Sequence, residues 1–210
     1  MATICPTVMP GGDDLHVFRA MMERVGSLTS RLQIDLMDGD FAPHRNMAPE
    51  KLWWPEGVDA DLHVMYRQPG IILSSLIALR PHLILFHAES DGDVLECMGV
   101  VKANGIQAGV VLLPETSVST ANQLIERADH VLIFGGQLGE PGRADLTQLD
   151  KVAAIRQINP HVEIGWDGGA NAETIPSIAA AGVDVINVGA ALQRAESPVE
   201  TYAYLSQLAS

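Results

Sequence analysis

The chain has 210 residues, 47% hydrophobic and 19% charged, an ordinary globular composition that excludes disordered, collagen-like and mucin-like classes. Its 13 Lys and Arg stand against 26 Asp and Glu, a formal net charge of −13, so no basic field exists to attract nucleic acid or anionic lipid. Cys5 and Cys97 lie far apart without metal spacing, which speaks against a disulfide framework or zinc motif and for a reducing compartment.

The first residues, Met1 to Pro10, are apolar but short, lack a basic leader and run into Gly11-Gly12-Asp13-Asp14, so they read as a strand and turn rather than a signal peptide. No apolar run approaches the roughly 20 residues that span a bilayer, and a cytoplasmic protein is expected.

In chain order, β-rich runs fall at 3–8, 31–35, 61–66, 82–86, 106–112, 130–134, 163–167 and 185–188. Amphipathic segments at 14–25, 93–103, 118–128, 149–157 and 172–181 separate most of them, with apolar residues at helical spacing. Asp13 or Asp14, Ser117 and Asn171 are placed to cap helix N-termini, and Gly26, Gly105 and Gly182 follow the expected C-termini. Strand-helix units repeated in this way through one chain, with no linker or composition shift, predict a single-domain α/β protein over 1–210, a (β/α)8 TIM barrel.

The connection 38–55 breaks the pattern. Pro43, Pro49, Pro55 and the pair Trp53-Trp54 leave no room for a full helix, so a long irregular loop is expected, with the tryptophans packed on the barrel wall rather than at a subunit interface. Such loops lie at the catalytic face of these barrels.

Alternation along the second strand puts Gln33, Asp35 and Met37 on the inner face and Ile34 and Leu36 on the outer. A carboxylate at the C-terminal end of a barrel strand reads as catalytic, whereas Asp38 before Gly39 reads as a turn residue. The same alternation turns Asp61, His63 and Met65 inward on the third strand, so His63 projects beside Asp35. A lone strand histidine is more often a hydrogen-bonded core residue than a ligand, an ambiguity that His87 shares one strand later, and context places His63 above His87 as a ligand. Strands 7 and 8 end in Asp167-Gly168-Gly169 and Val188-Gly189-Ala190, and glycines there let backbone N–H groups approach a phosphate. Asp167 then faces Asp35 across the mouth. Two opposed carboxylates suit removal of a proton from one face of a carbon and its return on the other.

Several of these pieces, taken together with Ile4-Cys5-Pro6-Thr7, Phe86-His87-Ala88-Glu89, Gly109-Val110-Val111-Leu112 and Ala181-Gly182-Val183-Asp184, resemble the ribulose-phosphate 3-epimerase family over nearly the full chain. The resemblance implies Asp35 and Asp167 as the acid/base pair. It also implies a divalent metal (Zn, Mn, Fe or Co) on Asp35, His63 and Asp167, and no organic cofactor. Thr7 stands where the family has a serine near the substrate, and Met37 and Met65 match methionines lining the intermediate's pocket, though both also read as apolar filler. The partners expected are a small sugar phosphate and further copies of the chain, with neither nucleic acid nor membrane.

Two departures stand out. Gln33 replaces the family's other histidine ligand, and a neutral amide oxygen is a poor substitute for imidazole, so metal affinity is expected to be weakened. The loop 135–143 after strand 6 keeps glycines but changes their order and adds Glu140, so lid contacts do not carry over. Two function classes follow: an epimerase working on a ketose phosphate, and a phosphosugar-binding relative without turnover. A lyase of the same barrel group is disfavoured, because Met37 stands where those enzymes' Asp-x-Lys motif carries its lysine.

Overall fold

A computed structural model describes residues 1–139 and 142–210. Glu140 and the residue after it fall outside this range. Eight parallel strands close into a barrel in sequence order: β1 (Thr3–Val8), β2 (Arg31–Met37), β3 (Asp59–Met65), β4 (Leu83–His87), β5 (Gln107–Leu112), β6 (His130–Phe134), β7 (Glu163–Asp167) and β8 (Val185–Val188). The predicted ends of β1, β6, β7 and β8 hold. Elsewhere the strand ends differ by one or two residues; β2 runs on to Met37 and β3 begins at Asp59 because the two strands pair over that whole stretch, from Arg31↔Asp59 to Met37↔Met65.

The helices are α1 (Leu15–Val25), α2 (Leu73–Ala78), α3 (Val94–Ala103), α4 (Asn122–Arg127), α5 (Lys151–Ile158), α6 (Ile175–Ala180), α7 (Ala190–Gln193) and α8 (Pro198–Leu208). Asp14 caps α1 as expected, accepting from the His16 N–H at 2.8 Å. Ser117 and Asn171 do not act as caps. Their side-chain oxygens fold a local turn instead, Ser117 accepting from Thr120 N–H and Asn171 from Glu173 N–H, so α4 and α6 begin several residues later. The sequence reading named neither α2, a short segment without a side-chain cap that follows a 3₁₀ turn at Pro69–Ile72, nor the two helices after β8, α7 and α8.

The connection 38–55 carries only a 3₁₀ turn, Pro49–Lys51. It is pinned from within. Asp38 Oδ1 accepts from the N–H groups of Asp40 and Phe41, the turn role expected of it, and Asn46 clamps β2 by accepting from Met37 N–H at 2.8 Å and donating to Asp35 C=O at 2.7 Å. Trp53 meets Phe18 of α1 edge-on at 5.9 Å, and Trp54 is half-buried against the core.

Alternation divides the strands as period 2 requires. Outward residues such as Ile34, Leu36, Leu62, Val64, Ile84 and Phe86 form the main apolar core with the helices. Inward residues stack from floor to mouth. At the floor, Arg31 donates to Asp61 at 2.7 Å and to both oxygens of Glu163 at 2.9 and 2.7 Å. His130 bonds Glu163 at 2.7 Å and His82 bonds Asp61 at 2.9 Å, which extends the network. Leu83, Leu85, Val111, Leu132 and Phe134 fill one side of the interior above it. Among the described residues no helix is long and apolar enough to cross a membrane.

Candidate active site

The ladder sets the mouth. Asp35 of β2 pairs in register with His63 of β3, so both side chains enter the interior at one level, and Asp167 closes β7 opposite them. His63 Nδ1 lies 3.1 Å from Asp35 Oδ1 and 3.6 Å from Asp167 Oδ2. The Gln33 amide sits between the two carboxylates, its Nε2 donating to Asp35 Oδ1 at 2.9 Å and to Asp167 Oδ2 at 2.6 Å. Gln33 Oε1, equally buried, has no hydrogen-bond partner among the described residues.

These neighbours move the proton affinities. Burial drives the Asp35 carboxyl above its ordinary range, and the hydrogen bond to His63 opposes this only in part. Burial alone would lower His63, but hydrogen bonds to Asp167 and Asp35 outweigh it and lift the imidazole to about 9. His87, whose Nε2 lies 2.9 Å from His63 Nε2, goes the other way: burial takes it down to about 4 despite Glu89 beside it.

Asp35, His63 and Asp167 offer ligand atoms within 4.8 Å of one another, a group that could hold a metal ion. One imidazole nitrogen with two carboxylates is a donor set that suits a divalent cation and leaves positions open for substrate, so the residues present fit the metal that the family resemblance implies.

The cluster opens into a cavity of about 610 Å³ lined by Thr7, Met65, Gly168, Gly169, Gly189 and Ala190 together with Asp35, His63 and Asp167. Nearly every residue singled out in the sequence therefore comes together. Met37 and Gln33 are not part of the cavity wall: Met37 packs with Met65 and Ala42, and Gln33 is fully buried against the two carboxylates. Gly168 and Gly169 carry φ of +108° and +67°, and a Cβ on either would run into the backbone of Gly136 or Ala144. This close approach ties the β7 turn to the loop after β6, whose Gln137, Gly139 and Gly142 line the same cavity.

A model of the ribulose-phosphate 3 epimerase family matches residues 12–193. The chain belongs to that family. A ribulose-phosphate 3-epimerase of Helicobacter pylori is 30% identical over 75% of this chain and 76% of its own length, and that of Schizosaccharomyces pombe is 27% identical over 95% and 90%. Solved barrels share the fold at lower identity. A 3-hexulose-6-phosphate synthase of Salmonella typhimurium superposes with a TM-score of 0.71 at 17% identity, covering 99% and 98% of the two chains. A 3-keto-L-gulonate-6-phosphate decarboxylase of Vibrio cholerae gives 0.70 at 13%, covering 100% and 98%.

Within this family member, sequence reasoning missed Asn187. It is an inward position of β8 whose Oδ1 is buried without a partner among the described residues, like Thr7 Oγ1, while both side chains line the cavity. Period-2 alternation in β8 could have found it, since Val185, Asn187 and Gly189 share one face. Arg194, just beyond α7, also lines the cavity and carried no strand or motif signal.

Proposed function

We propose that the chain epimerises a ketose 5-phosphate at C3 by proton transfer between Asp35 and Asp167. The observation that carries this reading is the pairing of two carboxylates through a single Gln33 amide, at 2.9 and 2.6 Å, at the head of the cavity. One carboxylate removes the proton α to the ketone and the other returns a proton to the opposite face. The raised affinity of Asp35 suits it to hold that proton between the two steps. Backbone N–H groups at Gly168, Gly169, Gly189 and Ala190 would take the phosphate, an anion site that needs no net positive charge.

Thr7 Oγ1 and Asn187 Oδ1, orphaned at the cavity wall, would take sugar hydroxyls, since a buried polar group left unpaired costs about 1–3 kcal/mol. Met65 gives an apolar wall that keeps water from the reacting carbon. The proton on His63 Nδ1 stands beside both carboxylates and favours negative charge developing next to them. A divalent cation, held by Asp35, His63 and Asp167 when bound, would add positive charge at the same place. Gln33 weakens that hold, because its amide now faces the carboxylates with an N–H group where a ligand atom would be needed.

That same feature favours a second reading, a phosphosugar-binding protein without turnover. Incubation with ribulose 5-phosphate in D2O separates the two. The epimerase must wash deuterium into C3, and Asp35→Asn and Asp167→Asn must each stop interconversion of the two C3 epimers, because an amide accepts no proton at neutral pH and each face needs its own carboxylate. Binding of the ketose phosphate without C3 exchange, with Mn2+ or Zn2+ added, leaves the binder in place.

A further inference from the structure

Behind His63 lies a second pair of buried polar residues that the proton transfer itself does not use. His63 Nε2 and His87 Nε2 are 2.9 Å apart with ring centroids separated by 5.0 Å and planes inclined by 29°. Rings whose nitrogens approach more closely than their centres meet edge to edge, so a ring N–H of one points at the ring lone pair of the other. Two lone pairs at that distance would repel, and two N–H groups would clash, so one proton lies between the two imidazoles.

Which ring owns it is decided on the far side. His87 Nδ1 and Glu89 Oε2 are both buried, have no well-formed hydrogen bond among the described residues, and face each other at 3.4 Å. A lone pair on Nδ1 would leave two unpaired acceptors opposed, whereas a proton on Nδ1 satisfies both at once. Glu89 is itself held, its Oε1 accepting from Leu113 N–H at 3.0 Å, so it is not free to turn away. Neutral His87 with its proton on Nδ1 has only a lone pair on Nε2, and His63 must then donate its Nε2–H. His63 Nδ1 is left as the atom that faces Asp35 and Asp167. Phe41, 4.7 Å from His87, and Phe134, 6.0 Å from His63, wall the two rings and hold them at this edge.

We propose that His87 and Glu89 are positioning residues that fix the tautomer and direction of His63, keeping its Nδ1 turned to the two carboxylates for a proton or a divalent cation. A histidine that meets a cation through one nitrogen is oriented by what its other N–H donates to. Here that partner is a second histidine, oriented in turn by a carboxylate on the next βα loop. The inference rests on the active-site reading of Asp35, His63 and Asp167 and extends it two residues deeper.

The test is a ¹⁵N spectrum of histidine-labelled protein, with His63 and His87 assigned by substitution, and a pair of variants. The expected spectrum shows His87 protonated at Nδ1 and bare at Nε2, with His63 protonated at Nε2. A His87 protonated at Nε2 overturns the proposal. His87→Leu should lower Mn2+ or Zn2+ affinity by calorimetry by about 10–100-fold, and lower kcat with little change in KM for ribulose 5-phosphate. His87→Gln, which can present an amide oxygen to His63, should recover part of both. Unchanged metal affinity and kcat in a folded His87→Leu protein would also overturn it. Should the unmodified protein show no C3 exchange, the epimerase reading falls, while the ¹⁵N spectrum still judges the histidine pair. If His87→Leu does not fold, the spectrum of the unmodified protein decides alone.

Discussion

The two ends of the barrel are built from the same inward-facing positions, a few residues apart, and they handle charge in opposite ways. At the floor every carboxylate is answered: Asp61 by Arg31 and His82, Glu163 by Arg31 and His130. Burial would raise Glu163, but the bonds to His130 and Arg31 hold it well below the usual carboxylate range. At the mouth Asp35 and Asp167 share one imidazole and one neutral amide, and Asp35 is pushed upward instead. A matched buried network fixes structure, whereas, in the proposed epimerisation, the unmatched pair of carboxylates at the open cavity exchanges a proton.

Substitutions at the two ends should therefore separate activity from stability. Asp35→Asn is expected to reduce interconversion of the C3 epimers by at least about 100-fold, the usual contribution of a general acid or base, while its urea midpoint stays equal or rises, because a carboxylate that burial disfavours is gone. Arg31→Met should do the reverse. Removing the one arginine between Asp61 and Glu163 leaves buried charge uncompensated and should cost about 3 kcal/mol by urea unfolding, with KM for ribulose 5-phosphate retained in the folded fraction. Loss of activity without loss of stability in Arg31→Met would mean the floor network reaches the mouth.

Gly189→Asp probes the phosphate side with a smaller effect. The glycine has φ of −95°, and a Cβ there would meet only Thr7, its Cβ at 3.6 Å and its carbonyl oxygen at 4.0 Å, both ordinary contacts, so the fold accepts a side chain. The aspartate places a like charge beside the phosphate, and affinity for ribulose 5-phosphate should fall by about tenfold or more, a loss above about 1.4 kcal/mol. Retained affinity would remove Gly189 from the site.

The same contrast explains how much the sequence disclosed. The inward turn of Gln33, Asp35 and His63 and the place of Asp167 at a strand end follow from local patterns, and the approach of Asp167 to Asp35 follows once the repeated strand-helix units name a closed barrel. The floor network carried no such pointer, since Arg31 and Glu163 lie at strand starts, 132 positions apart, with nothing in the chain that marks them as partners. Ser117 and Asn171 looked like caps because the same side-chain oxygens serve a cap or a turn, and tertiary packing chooses between them. The substitution at Gln33 was visible in the chain. Its effect, an N–H group bridging both carboxylates with Oε1 left unpaired, needed coordinates.

Gln33→His tests that point directly. It replaces a neutral bridge with an imidazole beside a one-histidine, two-carboxylate set, and affinity for Zn2+ or Mn2+ measured by calorimetry should rise by about tenfold or more. C3 exchange with metal present should rise with it. Equal and tight metal binding by both proteins would show that the amide turns its oxygen to the ion and that the replacement does not weaken the site.

The smallest expected effect lies at the edge of the floor. The hydrogen bond to Asp61 raises His82 above its ordinary value, and partial burial only offsets this in part. A histidine with a raised folded-state pKa contributes its full stabilisation below the unfolded value near pH 6.5 and loses it as the pH climbs through the raised one. His82 remains partly open to solvent, its side chain 25% exposed, so the contribution stays below about 1 kcal/mol. The difference in urea stability between the unmodified protein and His82→Gln isolates it, since every other titrating group is common to both. That difference should be largest at pH 5 to 6 and shrink as the pH rises past neutrality. A difference that is flat with pH, or that grows toward alkaline pH, would show that the bond between His82 and Asp61 does not hold a proton and that Arg31 alone neutralises Asp61.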